Sequence, residues 1–208
     1  MADATIYRRD AVRFEMMKHF GYFVTESTPH NSEYLPYFRR TQALRDRFGL
    51  RSRSVGLEAV SFEQWVKDRK MGPAEAAPPL ARSHEYASAI MEALVTGAPF
   101  RFNGNVMNPG LVTNLPDGCC VEVPCLADRE GVHPCHVGPL PPQCAALNRS
   151  NVAVQELAVR AVLGRDREAA FQAVALDPLT AAVLPLDRIR DLFEEMWAAE
   201  KPLLAYFD

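Results

Sequence analysis

The sequence predicts an α+β fold, a mostly antiparallel sheet with helices packed against it. Residues 100–136 read as short strands joined by tight turns, and helical periodicity lies on both sides of them. Within that block Val121, Val123 and Cys125 alternate with Glu122 and Pro124, the period-two pattern of a half-buried strand. Asn108-Pro109-Gly110 and Pro116-Asp117-Gly118 are turn sequences in which proline presets one backbone angle and glycine accepts a positive one.

The remaining elements follow in order. Residues 4–20 have helical spacing, with Tyr7, Ala11, Phe14 and Met17 on one apolar face and Gly21 as the stop. Tyr22, Phe23 and Val24 suggest a short strand. A dense polar run at 25–34 comes next, with capping residues at Ser27, Thr28, Asn31 and Ser32. A helix is expected to resume near Ser32 and to end by Phe48-Gly49, with Pro36 in its first turn. Ser61 with Gln64 has capping-box spacing and starts a helix carrying Phe62, Trp65 and Val66, followed by an Ala/Pro-rich loop at 72–79. A helix over 83–96 carries Tyr86, Ile90 and Leu94 and ends at Gly97. Pro124 marks its strand as an edge or a bulge, because it cannot donate to a ladder. After Pro139, Pro141 and Pro142, a long helix runs over about 143–163 and ends at Gly164. Asp166 caps another that stops before Asp177-Pro178. The last begins near Leu186, with Leu186, Ile189, Phe193 and Met196 on one face. No internal repeat is visible.

A chain of 208 residues fits one domain or one large half of a two-part enzyme, and with nearly half its residues apolar it can bury a core. A net charge of −3 gives no sign of nucleic-acid or anionic-membrane binding. No apolar run reaches the roughly 20 residues of a membrane span. The first residues carry no secretory core, so the cytoplasm is the expected compartment. The five cysteines, an odd number, fall between Cys119 and Cys144 and are expected to be reduced.

The sequence contains no Gly-x-Gly-x-x-Gly, Walker loop, His-Glu-x-x-His or Gly-x-Ser-x-Gly. Glu26, Ser27, His30, Asn31, Glu33 and Tyr34 form a polar constellation. Acids, an imidazole and an amide can bind sugar hydroxyls or move protons, and the same residues can equally cap a helix with solvated charges. Cys119, Cys120, Cys125, His133, Cys135, His136 and Cys144 form a second group, open to a zinc or iron–sulfur reading. Their spacing lacks a paired Cys-x-x-Cys knuckle, and the adjacent Cys119 and Cys120 point to opposite faces of a strand. Buried core cysteines are the favoured reading. Asn103, Asn105, Asn108 and Asn114 either form turns or hydrogen-bond a polyol.

The run Phe102-Asn103-Gly104-Asn105-Val106-Met107-Asn108-Pro109-Gly110, continuing through Leu115-Pro116-Asp117-Gly118 to Val121-Glu122-Val123-Pro124-Cys125, closely resembles the C-terminal half of glycoside hydrolase family 4. The nearest branch is that of melibiase-type α-galactosidases and related α-glucosidases. Gly21-Tyr22-Phe23-Val24-Thr25-Glu26-Ser27, continuing to His30 and Ser32-Glu33-Tyr34, fits the same branch, as does Ser83-x-Glu85-Tyr86-Ala87 with Ile90 and Glu92-Ala93. The resemblance implies a fold like the C-terminal domain of lactate dehydrogenase-like enzymes, and α-glycoside hydrolysis with galactosides favoured. It implies NAD and a divalent metal, commonly manganese, with oxidation at sugar C3 followed by elimination; this family departs from the two-carboxylate mechanism. The family's nucleotide-binding half and its metal-binding Cys and His would precede Met1. The chain is therefore expected to hold neither cofactor nor metal itself, to be inactive alone and to work with a separate nucleotide-binding half. The alternative is a non-catalytic remnant that binds a sugar or a partner. The family's catalytic base falls at or beside Ser27, with Glu26, His30 and Tyr34 as the other choices. Asn31 and Glu33 would face the sugar, Asn105 and Asn108 match an Asn-x-x-Asn-x-Gly turn, and Glu122 and Pro124 match a strand signature. Apolar surface left by the missing half implies a homo-oligomer.

Overall fold

The computed structural model describes residues 4–50 and 85–207. At its centre β1 (Phe100–Met107), β2 (Cys120–Asp128) and β3 (Gly131–Pro134) form an antiparallel sheet in the order β1-β2-β3. The expected alternation holds, since Val121, Val123, Cys125 and Ala127 are buried and Glu122 and Leu126 are exposed. Phe102, Val106, Leu111, Val112, Leu115 and Leu140 pack with that buried face. Gly104 sits where no side chain fits, because a Cβ there would lie 2.9 Å from the Phe102 ring and 3.1 Å from Cys125 Sγ.

Pro124 corrects the expected edge or bulge. β2 is the middle strand, and its register with β1 runs unbroken from Phe100 opposite Ala127 to Met107 opposite Cys120. The Pro124 carbonyl accepts from Cys135 N–H at 2.8 Å, just past the end of β3. The missing proline N–H therefore faces the side on which the ladder stops, and no β3 bond is lost.

The helices before the sheet are shorter than expected. Residues 4–20 divide at Asp10 into α1 (Ala4–Arg9) and α2 (Ala11–Phe20). The buried face of α2 is Ala11, Val12 and Met16, not the stripe through Tyr7 and Met17, which are exposed. Tyr22–Val24 is not a strand. Arg13 Nε donates to the Val24 carbonyl at 2.8 Å, and its guanidinium lies 4.3 Å from the Phe23 ring centre, so a side chain takes the place of a strand partner. The helix expected over 32–48 is replaced by α3 (Thr28–Glu33) and α4 (Gln42–Arg47). Ser27 takes extended backbone at the N-cap and Pro29 falls in the first turn, which starts α3 earlier. Thr41 caps α4 by accepting from Leu44 N–H at 3.2 Å. Leu35, Phe38, Phe48 and Leu50 complete a core with Val12 and Met16. The helix expected from Ser61 and the 72–79 loop lie outside the described residues. α5 (Ala87–Thr96) packs on β1 and β2.

After the sheet, α6 (Pro142–Gly164), α7 (Arg167–Leu176) and α9 (Leu186–Ala199) follow the sequence closely, with the six-residue α8 (Pro178–Val183) between the last two. Asp166 caps α7, accepting from Ala169 N–H at 3.0 Å. Asp177 starts α8 as well as closing α7, accepting from Thr180 N–H at 2.7 Å. Arg165, not Gly164, takes the left-handed angle that ends α6. On α9 only Ile189 and Phe193 of the expected stripe are buried, packing with Phe171, while Leu186 and Met196 are exposed. All five cysteines are free, but Cys125 alone is fully buried; Cys120 and Cys135 are exposed, which corrects the expected core cluster. No helix among the described residues is long and apolar enough to cross a membrane.

Asn108 is fully buried at the turn that joins β1 to β2. Its Nδ2 donates to the carbonyls of Val112 and Pro116, both at 3.1 Å, and its Oδ1 accepts from Val112 N–H at 2.9 Å. Asn108→Ala leaves these buried groups unpaired and is expected to lower unfolding free energy by about 2–4 kcal/mol. Asn108→Asp turns an oxygen toward the carbonyls and is expected to cost more than Asn108→Ala. Urea unfolding of the three proteins checks both the loss and its order.

Candidate functional site

A cavity of about 610 Å³ opens between the end of α2, the 22–26 segment, α3, the start of β2 and the first half of α6. Its floor is apolar, with Val112, Leu115, Val121 and Leu140 among its residues, and Glu26, Asn31, Tyr34 and Glu122 bring polar groups to it. An apolar bowl with a few convergent polar groups is the usual form of a small-molecule site. Two long-range bonds fix α6 against the opposite wall: Gln143 Nε2 donates to the Phe20 carbonyl at 3.0 Å and Asn151 Nδ2 to the Tyr34 carbonyl at 3.2 Å.

α3 is held by a side chain that sequence reasoning passed over. Arg39 donates to Ser32 Oγ at 2.8 Å, to the Pro29 carbonyl at 3.2 Å and to Glu33 Oε1 at 3.1 Å. Ser32 Oγ in turn donates to the Pro29 carbonyl at 2.5 Å. The clamp fixes the face of α3 that carries Asn31 into the cavity. Asn31 is only 8% exposed, and its Oδ1 has no hydrogen-bond partner among the described residues. A buried acceptor left unpaired costs stability, so its persistence needs a cause.

The structure separates the predicted site residues. Glu26, Asn31 and Tyr34 line the cavity, while Ser27, His30 and Glu33 lie beside it on α3 and its cap. His30 Nδ1 stands 3.6 Å from Glu26 Oε1, and Glu33 is engaged by Arg39. Asn105 is exposed on β1 directly opposite Glu122. Asn108 is enclosed in its turn, where it shapes the wall that supplies Val112 and Leu115. Sequence reading missed Asn148, Asn151 and Gln155, which α6 presents to the cavity. Their spacing of three and four places amides on one helix face, a signal that was available.

Glu26 is an anion by construction. The Ser27 backbone N–H donates to its Oε1 at 2.6 Å, and this bond, helped by His30 and Arg13, holds the carboxyl below the usual glutamate range. Cys144, also on the cavity wall, shifts the other way, because burial pushes its thiol up and keeps it neutral. Among the described residues no group of three or more His, Cys, Asp or Glu side chains is placed to hold a metal ion.

Residues 1–180 match the C-terminal domain of family 4 glycosyl hydrolases. The chain belongs to that family. It is 44% identical over 193 residues to an alpha-galactosidase of Bacillus subtilis, covering 91% of this chain and 45% of that protein. It is 33% identical over 211 residues to an alpha-galactosidase of Rhizobium meliloti, covering 96% of this chain and 43% of that protein. Its fold matches the crystal structure of lplD, a Bacillus subtilis protein described as a glucosidase, with a TM-score of 0.68 at 27% identity over 90% of this chain and 42% of that one. The family 4 chain thus spans less than half the length of the relatives it matches.

The Glu26 geometry gives a direct test. Ser27 has φ −61°, which proline also adopts, so Ser27→Pro removes the N–H while keeping that angle. The Glu26 titration midpoint, followed by NMR, is expected below that of an ordinary glutamate in the parent and higher in the variant. Folding depresses this pKa, so the carboxylate's support of the fold is present at neutral pH and fades as pH falls through the folded value.

Proposed function

We propose that this family 4 domain forms the sugar-facing wall of an NAD- and divalent-metal-dependent α-glycosidase, with α-galactosides favoured, and that it acts together with a nucleotide-binding half. The observation that carries this reading is the convergence of Glu26, Asn31 and Tyr34 on one apolar-floored cavity. The 44% identity to a protein named as an alpha-galactosidase favours galactosides.

The apolar floor suits the C–H faces of a pyranose, and the Glu26 carboxylate offers acceptors to its hydroxyls. Of the four candidates for proton handling, Glu26 and Tyr34 reach the cavity. Ser27, at the helix cap, and His30, within α3, both stand against the Glu26 carboxylate. The sequence has no glycine-rich turn for a dinucleotide, and the described residues do not fit a metal site, so NAD and manganese are assigned to the other half and no step is placed on them here.

Mixing this chain with a nucleotide-binding half, NAD and manganese is expected to hydrolyse a chromogenic α-galactoside, while the chain alone does not. Tyr34→Phe is expected to lower kcat in the mixture by about 10²-fold or more. Failure of every soluble partner half to give turnover would sink the proposal. The same reading assigns the exposed leucines of the C-terminal helices to contact with a second copy of the chain, since Leu163 is 77%, Leu186 65% and Leu203 80% exposed. Light scattering is expected to show a mass that rises with concentration, and a clean monomer throughout would count against the contact.

A further inference from the structure

Asn148, Asn151 and Gln155 line one side of the cavity, in a row on α6 that begins at Cys144. Steps of four, three and four residues keep these side chains on one helix face. Asn148 is exposed and Asn151 half-buried, so both can be reached from the cavity.

An amide can offer a donor or an acceptor, and its other hydrogen bonds decide which remains. Asn151 Nδ2 donates to the Leu147 carbonyl at 3.0 Å and to the Tyr34 carbonyl at 3.2 Å. A carbonyl accepts and cannot donate, so the nitrogen and not the oxygen must face these groups, and both of its hydrogens are used. Asn151 is left with Oδ1, to which no described residue donates. Asn148 is turned the same way. Its Nδ2 donates to the Cys144 carbonyl at 2.9 Å, and its Oδ1 receives no bond among the described residues. The backbone therefore sets the polarity of both amides before a ligand arrives. The floor of Val112, Leu115, Val121 and Leu140 has no side-chain hydrogen-bonding group, so a polyol resting on it must satisfy its hydroxyls at the walls.

We propose that Asn148 and Asn151 are specificity-determining residues of this cavity, whose Oδ1 atoms each accept the hydrogen of a ligand hydroxyl. The proposal rests on the reading that the cavity binds a glycoside. It adds that the contact at the α6 wall runs in one direction, with the ligand donating and the helix accepting. A group of hydroxyl size that cannot donate, such as fluorine, is disfavoured there. Asn151 also ties α6 to the Tyr34 carbonyl, so the hydroxyl it receives lies on the Tyr34 side of the cavity.

The test titrates methyl α-D-galactopyranoside and its 2-, 3-, 4- and 6-deoxyfluoro analogues into the full chain, with affinities read by NMR. Fluorine in place of a hydroxyl that either amide receives is expected to weaken binding by the parent about five-fold or more. In Asn151→Ala the unsubstituted sugar is expected to bind more weakly by a similar factor, and to differ from that analogue by less than about two-fold. Loss of wall structure alone would weaken every sugar and leave the parent's ratios intact, so the ratios separate contact from support. Asn148→Ala, at an exposed helix position, is the second variant and is expected to abolish the preference at one ring position in the same way. Circular dichroism checks that both variants fold. Equal binding of all five sugars by the parent, or ratios that are the same in the parent and in each folded variant, overturns the assignment and leaves the glycoside reading standing. Absence of binding by all five sugars overturns both.

Discussion

The amide of Asn108 organises everything between the sheet and the cavity. Its bonds to Val112 and Pro116 close the turn after β1, and its own N–H donates to the Cys119 carbonyl at 2.9 Å where β2 begins. The turn is latched in its turn to the segment ahead of α6. Asn114 Nδ2 donates to the Leu140 carbonyl at 2.8 Å, and Leu140 N–H returns a bond to Asn114 Oδ1 at 2.9 Å. Val137 N–H donates to the Leu111 carbonyl at 2.8 Å. One chain of hydrogen bonds therefore runs from the sheet to the foot of α6, and it carries Val112, Leu115, Val137 and Leu140 into the cavity floor. A buried amide that satisfies backbone groups on both sides fixes a loop more firmly than apolar contact, because any slippage leaves unpaired buried groups.

The opposite wall uses a different device. α3 has six residues, too few to be stable by itself. The Arg39 guanidinium holds it by bonding one hydroxyl, one carbonyl and one carboxylate. This fork replaces the helix packing that a longer element would supply. It also leaves the inner face of α3 free to present polar groups. Within this helix Thr28 Oγ1 and Asn31 Oδ1 are both buried without a partner among the described residues. The rest of the wall is well satisfied, so the two orphans mark where stability has been given up.

Much of this was legible in the sequence where the signal was local and periodic. The alternation through Val121, Val123 and Cys125, the length of α6 and the Asp166 cap depend on neighbours along the chain, and the structure keeps them. What was not legible depends on distant partners. Nothing local separates Asn108, buried and fully bonded, from Asn105, exposed on a strand; the difference is the turn that folds back over one of them. Arg13 reaching Val24 turned an expected strand into an irregular segment by a contact between residues eleven apart. Tyr7, Leu186 and Met196 fit apolar stripes yet remain exposed, because periodicity reports which residues share a face and not what covers it. The segment 26–34 stands out in the sequence as a polar run, but which of its residues line the cavity follows from α3 starting at Thr28 and not near Ser32.

That phase also bears on how the site can act. A residue that takes a proton efficiently near neutral pH needs a pKa not far below the working pH. Glu26 is displaced away from that condition, since the Ser27 N–H stabilises its charged form by more than burial opposes it. Geometry puts it in the cavity, yet its environment suits steady hydrogen-bond acceptance and steady negative charge better than proton abstraction. Tyr34, the other proton-handling candidate on the wall, differs in kind, because its phenol can both donate and accept. One residue thus does two things: the Ser27 carbonyl accepts the first backbone bond of α3 from Asn31 N–H, and its own N–H keeps Glu26 ionised, which couples the start of a short helix to the charge at the cavity.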